Sequence, residues 1–152
     1  MKNTPEYYMS LALKEAKKAY ELDEVPVGAI IVKDDQVIGV GHNLREKNND
    51  ITSHAEIEAI KEASKKINSW RLVDCDIYVT LEPCMMCVGA LLQARIRHIY
   101  YGAKDEKGGA LGGAFDLLNG NNLPYIPLVS EGILENESSS LLKEYFKNKR
   151  EK

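Results

Sequence analysis

This sequence predicts a three-layer α/β/α domain, a mixed five-stranded sheet flanked by helices, and three observations carry the prediction. Two β-rich runs meet at an acidic two-residue turn near the start, and helical and β-type periodicities alternate after it. No repeat, low-complexity tract or linker divides the 152 residues, so the whole chain, 1–152, reads as one domain of ordinary size.

The elements follow in order. Thr4-Pro5-Glu6 is an N-cap, a first-turn proline and an acid matched to the helix dipole. Apolar positions Tyr8, Leu11, Ala12, Ala16, Ala19 and Tyr20 continue that helix over about 5–21. Residues 25–33 and 36–41 form a hairpin about Asp34-Asp35, and Gly39 and Gly41 mark places where another element approaches the backbone closely. Residues 43–52 form a polar loop long enough to carry function. Ile57, Ile60, Ser64 and Ile67 give a helix over 54–67, and Ile77-Tyr78-Val79-Thr80 gives a strand over 76–81. A helix over 85–94, a strand over 97–101 and a proline-flanked edge strand over 125–129 complete the alternation. Between the last two strands, residues 107–113 (Lys-Gly-Gly-Ala-Leu-Gly-Gly) lack the lysine and hydroxyl spacing of a phosphate-binding loop and read as a flexible loop. A final helix starting near Asn136 buries Leu141, Leu142, Tyr145 and Phe146.

Composition narrows the function. With 44% apolar residues the chain builds its core without disulfides, and intrinsic disorder is excluded. The longest apolar runs, 25–32 and 85–92, fall short of the ~18 residues a membrane span needs, and no signal-peptide segment opens the chain. A protein that stays in the cytoplasm, without a membrane partner, is expected. Twenty basic against 23 acidic residues leave a formal charge of −3, so contact with nucleic acid requires a local basic patch.

Three cysteines, Cys75, Cys84 and Cys87, are poor disulfide arithmetic and better metal arithmetic. Cys84 and Cys87, three apart at a helix start, aim both sulfurs at one point, and His54 supplies a third ligand. Three protein ligands leave a tetrahedral zinc one open position, as in catalytic sites. Glu56 would then move protons between water and a substrate nitrogen. Each residue also has a plainer reading. Ser53-His54-Ala55-Glu56 fits a capping box, the CxxC fits a thiol redox pair, and Cys75 fits a small buried hydrophobe. Asn43 fits a turn, Trp70-Arg71 a packing pair, and Phe146 ordinary core.

An HxE followed about 25 residues later by PCxxC is the signature of zinc-dependent nucleobase deaminases. With Asn43 upstream and Thr80-Leu81-Glu82-Pro83 leading into Cys84, the chain resembles the bacterial tRNA-specific adenosine deaminases over nearly its whole length. The matching stretches include Glu24-Val25-Pro26-Val27-Gly28-Ala29, His42-Asn43-Leu44-Arg45-Glu46, Ser69-Trp70-Arg71-Leu72, Tyr101-Gly102-Ala103-Lys104-Asp105 and Glu131-Gly132-Ile133-Leu134. The resemblance implies a cytidine-deaminase-like fold in a homodimer, one Zn2+ per subunit on His54, Cys84 and Cys87, and Glu56 as proton shuttle. It implies conversion of the wobble adenosine of an arginine tRNA anticodon to inosine. Asn43 would contact the flipped nucleotide, while Asp105 and Phe146 match positions that in the family meet the anticodon loop. The chain departs from the family at Pro124-Tyr125-Ile126, where Asn-His-Arg is usual, and near Gly113-Ala114-Phe115, where Ser-Leu-Met is usual. Lys143, Lys147, Lys149, Arg150 and Lys152 crowd the C-terminus, as a solvated face or as the phosphate-binding patch that the acidic total otherwise denies. The runner-up activity is deamination of free guanine, cytosine or cytidine by the same chemistry. A non-catalytic RNA-binding module with a structural zinc is the competing class.

Overall fold

The computed structural model describes residues 3–120, 122–123 and 125–150. Nine elements alternate: α1 (Pro5–Glu21), β1 (Gly28–Lys33), β2 (Gln36–His42), α2 (Ala55–Ile67), β3 (Cys75–Leu81), α3 (Met85–Gln93), β4 (His98–Ala103), β5 (Leu128–Ser130) and α4 (Glu135–Arg150). The strands form one sheet in the order β2-β1-β3-β4-β5. β1 pairs antiparallel with β2 and β3, whereas β4 runs parallel to β3 and β5. This is the mixed five-stranded α/β/α arrangement the alternation predicts.

Strand alternation divides the core in two. Ala29, Ile31, Ile77, Val79, Ile99 and Tyr101 face α2 and α3, together with Ala55, Ala59, Ala63 and Leu91 of those helices. Ile30, Val32 and Tyr78 face the other way, onto Tyr8, Met9 and Ala12 of α1. Local chemistry fixes the ends. The Thr4 hydroxyl accepts from the Tyr7 amide at 3.1 Å, with Pro5 opening the first turn. Asp34 and Asp35 both adopt positive φ, 50° and 62°, as a two-residue hairpin turn of matching twist requires.

Gly39 and Gly41 are where α2 lies on β2. A Cβ at Gly41 would land on the Ala55 carbonyl oxygen and 2.6 Å from the Ala59 amide, and one at Gly39 would meet the Ala59 carbonyl. Because the obstacle is helix backbone, it has no rotamer by which to yield. Gly41→Ala is therefore expected to cost ~1 to 3 kcal/mol, read as a melting temperature lowered by several degrees. An unchanged melting temperature would mean that α2 does not press on β2 there.

The C-terminal third differs from expectation in two places. The edge strand is Leu128–Ser130, not 125–129. Ahead of it the Tyr125 hydroxyl meets the Leu91 and Leu92 carbonyls at the end of α3 and lies 3.1 Å from that of Ile96 just beyond it, and this side-chain anchor replaces strand pairing. Pro124, part of the departure from the family pattern, lies outside the described residues, as does Lys152. In α4 only Ser138 and Tyr145 are buried; Phe146 is 44% exposed and is not core.

Candidate active site

Two helices begin at the site, and each begins with a side chain able to bind metal where a capping residue normally stands. His54 is the N-cap of α2 and Cys84 the N-cap of α3; both have extended backbones, and neither side chain makes a capping bond. Freed from that role, they face each other. His54 Nδ1 lies 3.7 Å from Cys84 Sγ and 3.6 Å from Cys87 Sγ, and the three atoms all lie within 4.8 Å of one another. Zn–S and Zn–N bonds of ~2.3 and ~2.0 Å at tetrahedral angles would separate sulfur from nitrogen by about 3.6 Å, so the residues fit zinc. Among the described residues no fourth His or Cys joins the group. His42 pairs with Glu15 at 3.0 Å, His98 bonds the Ser130 hydroxyl at 2.8 Å, and Cys75 is fully buried in the core.

The electrostatics suit a cation. The hydrogen bond from the Cys87 thiol, the neighbouring His54 and the N-terminus of α3 hold Cys84 far below the ordinary thiol range. The same Cys84 contact and burial push Cys87 up. These surroundings favour the thiolate at Cys84, the form in which cysteine binds metal. Beside it, desolvation pushes Glu56, 4% exposed, up to about 7.

The capping-box reading is not met. Glu56 faces the pocket, and the Ser53 hydroxyl accepts instead from Asn48 Nδ2 at 3.1 Å. Both sulfurs converge on an imidazole, which a metal site requires and a dithiol pair does not.

His54, Glu56 and Cys84 line a pocket of about 140 Å³ that also includes Val25, Asn43 and Asp105. Drug-sized ligand pockets run to ~300 to 1,000 Å³, so this one admits a single base-sized group. Asn43 is both wall and turn: it accepts from the Arg45 amide at 3.0 Å and donates to the Val25 carbonyl at 3.3 Å. A second amide hydrogen is left for a ligand.

Val25, Leu81 and Asp105 also line a groove of about 840 Å³ whose other walls include Lys104, Lys107, Lys143, Phe146, Lys149 and Arg150. Phe146 offers its ring here, and Lys149 also pairs with Asp23 at 2.7 Å. Lys147 is exposed on the same helix but does not line the groove. Lys143 of the C-terminal cluster does line it, beside Lys104 and Lys107, which reach it from the loop after β4 and which the C-terminal basic run does not mark.

Residues 107–113 are not a loose loop. The Glu82 carboxylate accepts from the Asp105, Leu111 and Gly113 amides at 3.0, 2.9 and 2.9 Å, and the Ala110 amide donates to the Pro83 carbonyl at 2.9 Å. Glu24 does likewise across the pocket, accepting from the Glu46 and Lys47 amides at 3.1 and 2.6 Å. Both carboxylates are 2% exposed. Sequence reasoning missed them as functional residues, since accepting main-chain N–H groups leaves no spacing to read.

A profile of the MafB19-like deaminases matches residues 3–150 of this chain. The tRNA-specific adenosine deaminase of Agrobacterium fabrum is 44% identical over 144 residues, 95% of each chain. Among solved structures, one from a study of A-to-I editing by tRNA:A34 deaminases superposes with a TM-score of 0.87 at 45% identity, covering 90% of this chain and 99% of that one. The guanine deaminase of Nitrosomonas europaea shares the fold with a TM-score of 0.79 at 25% identity, covering 93% of this chain and 84% of that one.

Proposed function

The chain belongs to the MafB19-like deaminase family, among the bacterial tRNA-specific adenosine deaminases, and on that footing we propose that it converts the wobble adenosine of an arginine tRNA anticodon to inosine by hydrolysis. The observation that carries the proposal is one continuous surface. A base-sized pocket holding Glu56 and the His54, Cys84 and Cys87 group shares Val25, Leu81 and Asp105 with a basic groove. Similarity of 44–45% to tRNA deaminases, against 25% to a guanine deaminase, favours RNA over the free base. One zinc ion per subunit, a homodimer and action in the cytoplasm are carried into the proposal from the family. Among the described residues no helix is long and apolar enough to cross a membrane.

Zinc on His54, Cys84 and Cys87 would supply a water nucleophile at neutral pH. The remaining steps belong to the chain. Glu56, held near 7 by burial, accepts a proton from the attacking water and delivers it to N1 of the adenine. Once the water oxygen has added to C6, Glu56 takes the second proton from the new C6 hydroxyl and passes it to the amine, which leaves as ammonia as the C6–N bond breaks and the C6 carbonyl forms. Asn43 orients the extruded nucleotide, and the groove holds the flanking chain. Extrusion is inexpensive from a single-stranded anticodon loop, whose bases are already partly unstacked.

The test is inosine formation in an arginine tRNA anticodon stem-loop, compared with ammonia release from guanine, cytosine and cytidine. Inosine from the stem-loop and silence on the free compounds is expected; the reverse pattern would return the chain to the runner-up activity. Binding should also be salt-dependent through the groove. Replacing Lys107, Lys143 and Arg150 together by Ala is expected to flatten the slope of log K against log salt by about 2, at ~0.7 per contact, with kcat nearly unchanged. An unaltered slope would leave those residues as a solvated face.

A further inference from the structure

We propose that Glu82 is a positioning residue for RNA binding, its buried carboxylate holding residues 104–113 in the one shape that sets Lys104, Asp105 and Lys107 along the groove; this rests on reading the groove as an RNA surface. Glu82 stands between the end of β3 and the Pro83-Cys84 segment, so its backbone is fixed by the sheet on one side and by the metal-ligand turn on the other. Its own amide donates to the Ala103 carbonyl of β4 at 2.8 Å. Its carboxylate has no cationic partner among the described residues and is satisfied instead by three main-chain N–H groups of one loop. Oε1 takes Asp105, at the loop's start; Oε2 takes Leu111 and Gly113, at its far side.

The loop is wound onto this carboxylate so closely that only glycine fits beside it. A Cβ at Gly109 would stand 2.5 Å from Glu82 Oε2, and one at Gly113 would stand 2.6 Å from Oε1; both would also press on the Asp105 carbonyl. Gly109 and Gly113 are therefore set by a hub of charge that the backbone must approach, whereas Gly112 answers to its positive φ of 121°. On the loop's outer side, Asp105 turns its own carboxylate back to the Lys107 and Gly108 amides, 3.1 and 3.2 Å from Oδ1, which fixes where Lys107 emerges. A charge-assisted bond to main-chain N–H is about twice as strong as a neutral one, and three on one buried group act as a unit. The amide of a Gln at 82 would necessarily confront one of those N–H groups, donor against donor.

The experiment compares wild-type protein with Glu82→Gln, and with Gly113→Ala as a second route to the same displacement, on the anticodon stem-loop. Zinc content and melting temperature report folding. Both variants are expected to keep stoichiometric zinc and raise KM about tenfold, with kcat within about threefold of wild type. Lys107→Ala supplies a readout that mere stability would not move. It should reduce the salt slope by ~0.7 in wild type and change nothing in the Glu82→Gln background, because the unclamped loop no longer presents that lysine. Equal losses from Lys107→Ala in both backgrounds, or an unchanged KM in folded Glu82→Gln and Gly113→Ala, would overturn the clamp while leaving the deaminase reading intact. A wild-type protein inert on the stem-loop would overturn the deaminase reading itself.

Discussion

Glu56→Ala is expected to lower turnover by ~10² to 10⁴-fold while the protein stays folded and keeps its zinc. Position and environment both lead to this result. Glu56 sits in the first turn of α2, two residues after His54, and its carboxyl enters the pocket nearly dry, 4% exposed. Burial disfavours the charged form and places its titration near 7, where a group both takes and gives protons readily. One carboxyl then serves water, ring nitrogen and leaving amine in turn, and the other acids lining the pocket, Glu82 and Asp105, are occupied by main-chain amides. Stability should change little, because the Glu56 carboxylate reaches its own first-turn amide and not the N-cap amide that a capping box closes on. The check is single-turnover deamination alongside zinc analysis and thermal melting. A variant that melts early but turns over at the wild-type rate would restore Glu56 to the capping box.

The elements nearest this chemistry were also the most legible, for reasons that can be named. Cys84 and Cys87 are legible as a candidate ligand pair because thiols three apart at a helix start are a local pattern, and His54-Ala55-Glu56 because an imidazole and an acid two residues apart are also local. Gly39 and Gly41 were readable because a glycine inside a strand needs a reason, and the reason proved to be the backbone of α2. What escaped was non-local. Whether Phe146 is core or surface depends on which side of α4 meets β4, and periodicity assigned four apolar side chains to the core where the packing buries only Tyr145 fully. The edge strand was placed three residues early because the anchoring of Tyr125 on the end of α3 is a long-range event. Glycine signals freedom by default, so 107–113 reads as flexible in sequence; at Gly109 and Gly113 it signals a close approach to Glu82. Glu24 and Glu82 stood inside recognised stretches of sequence, but their work is done on amides about 20 to 30 residues away. The same non-locality divides the basic residues: Lys147 faces away from the groove, while Lys104 and Lys107 reach it from another segment.

Cys84→Ser is the change expected to abolish activity altogether, and the structure makes it a clean test of the metal. Cys84 is the N-cap of α3, and serine is among the best N-cap residues, so the helix should lose nothing and gain a capping bond that the thiol does not make. A neutral hydroxyl is a poor zinc ligand, and its loss leaves His54 and Cys87 alone, too few to hold the ion against water. Zinc held at the proposed site would stabilise the folded protein by mass action, so chelation should lower the melting temperature of the wild type and leave that of Cys84→Ser where it was. Cys75→Ser is the control: that thiol is fully buried among apolar side chains, apart from the metal-binding group. Its substitution should cost stability and spare zinc. Metal content, melting with and without chelator, and inosine formation separate the two roles; stoichiometric zinc in Cys84→Ser would sink the ligand assignment and open the site to a thiol chemistry that needs no metal.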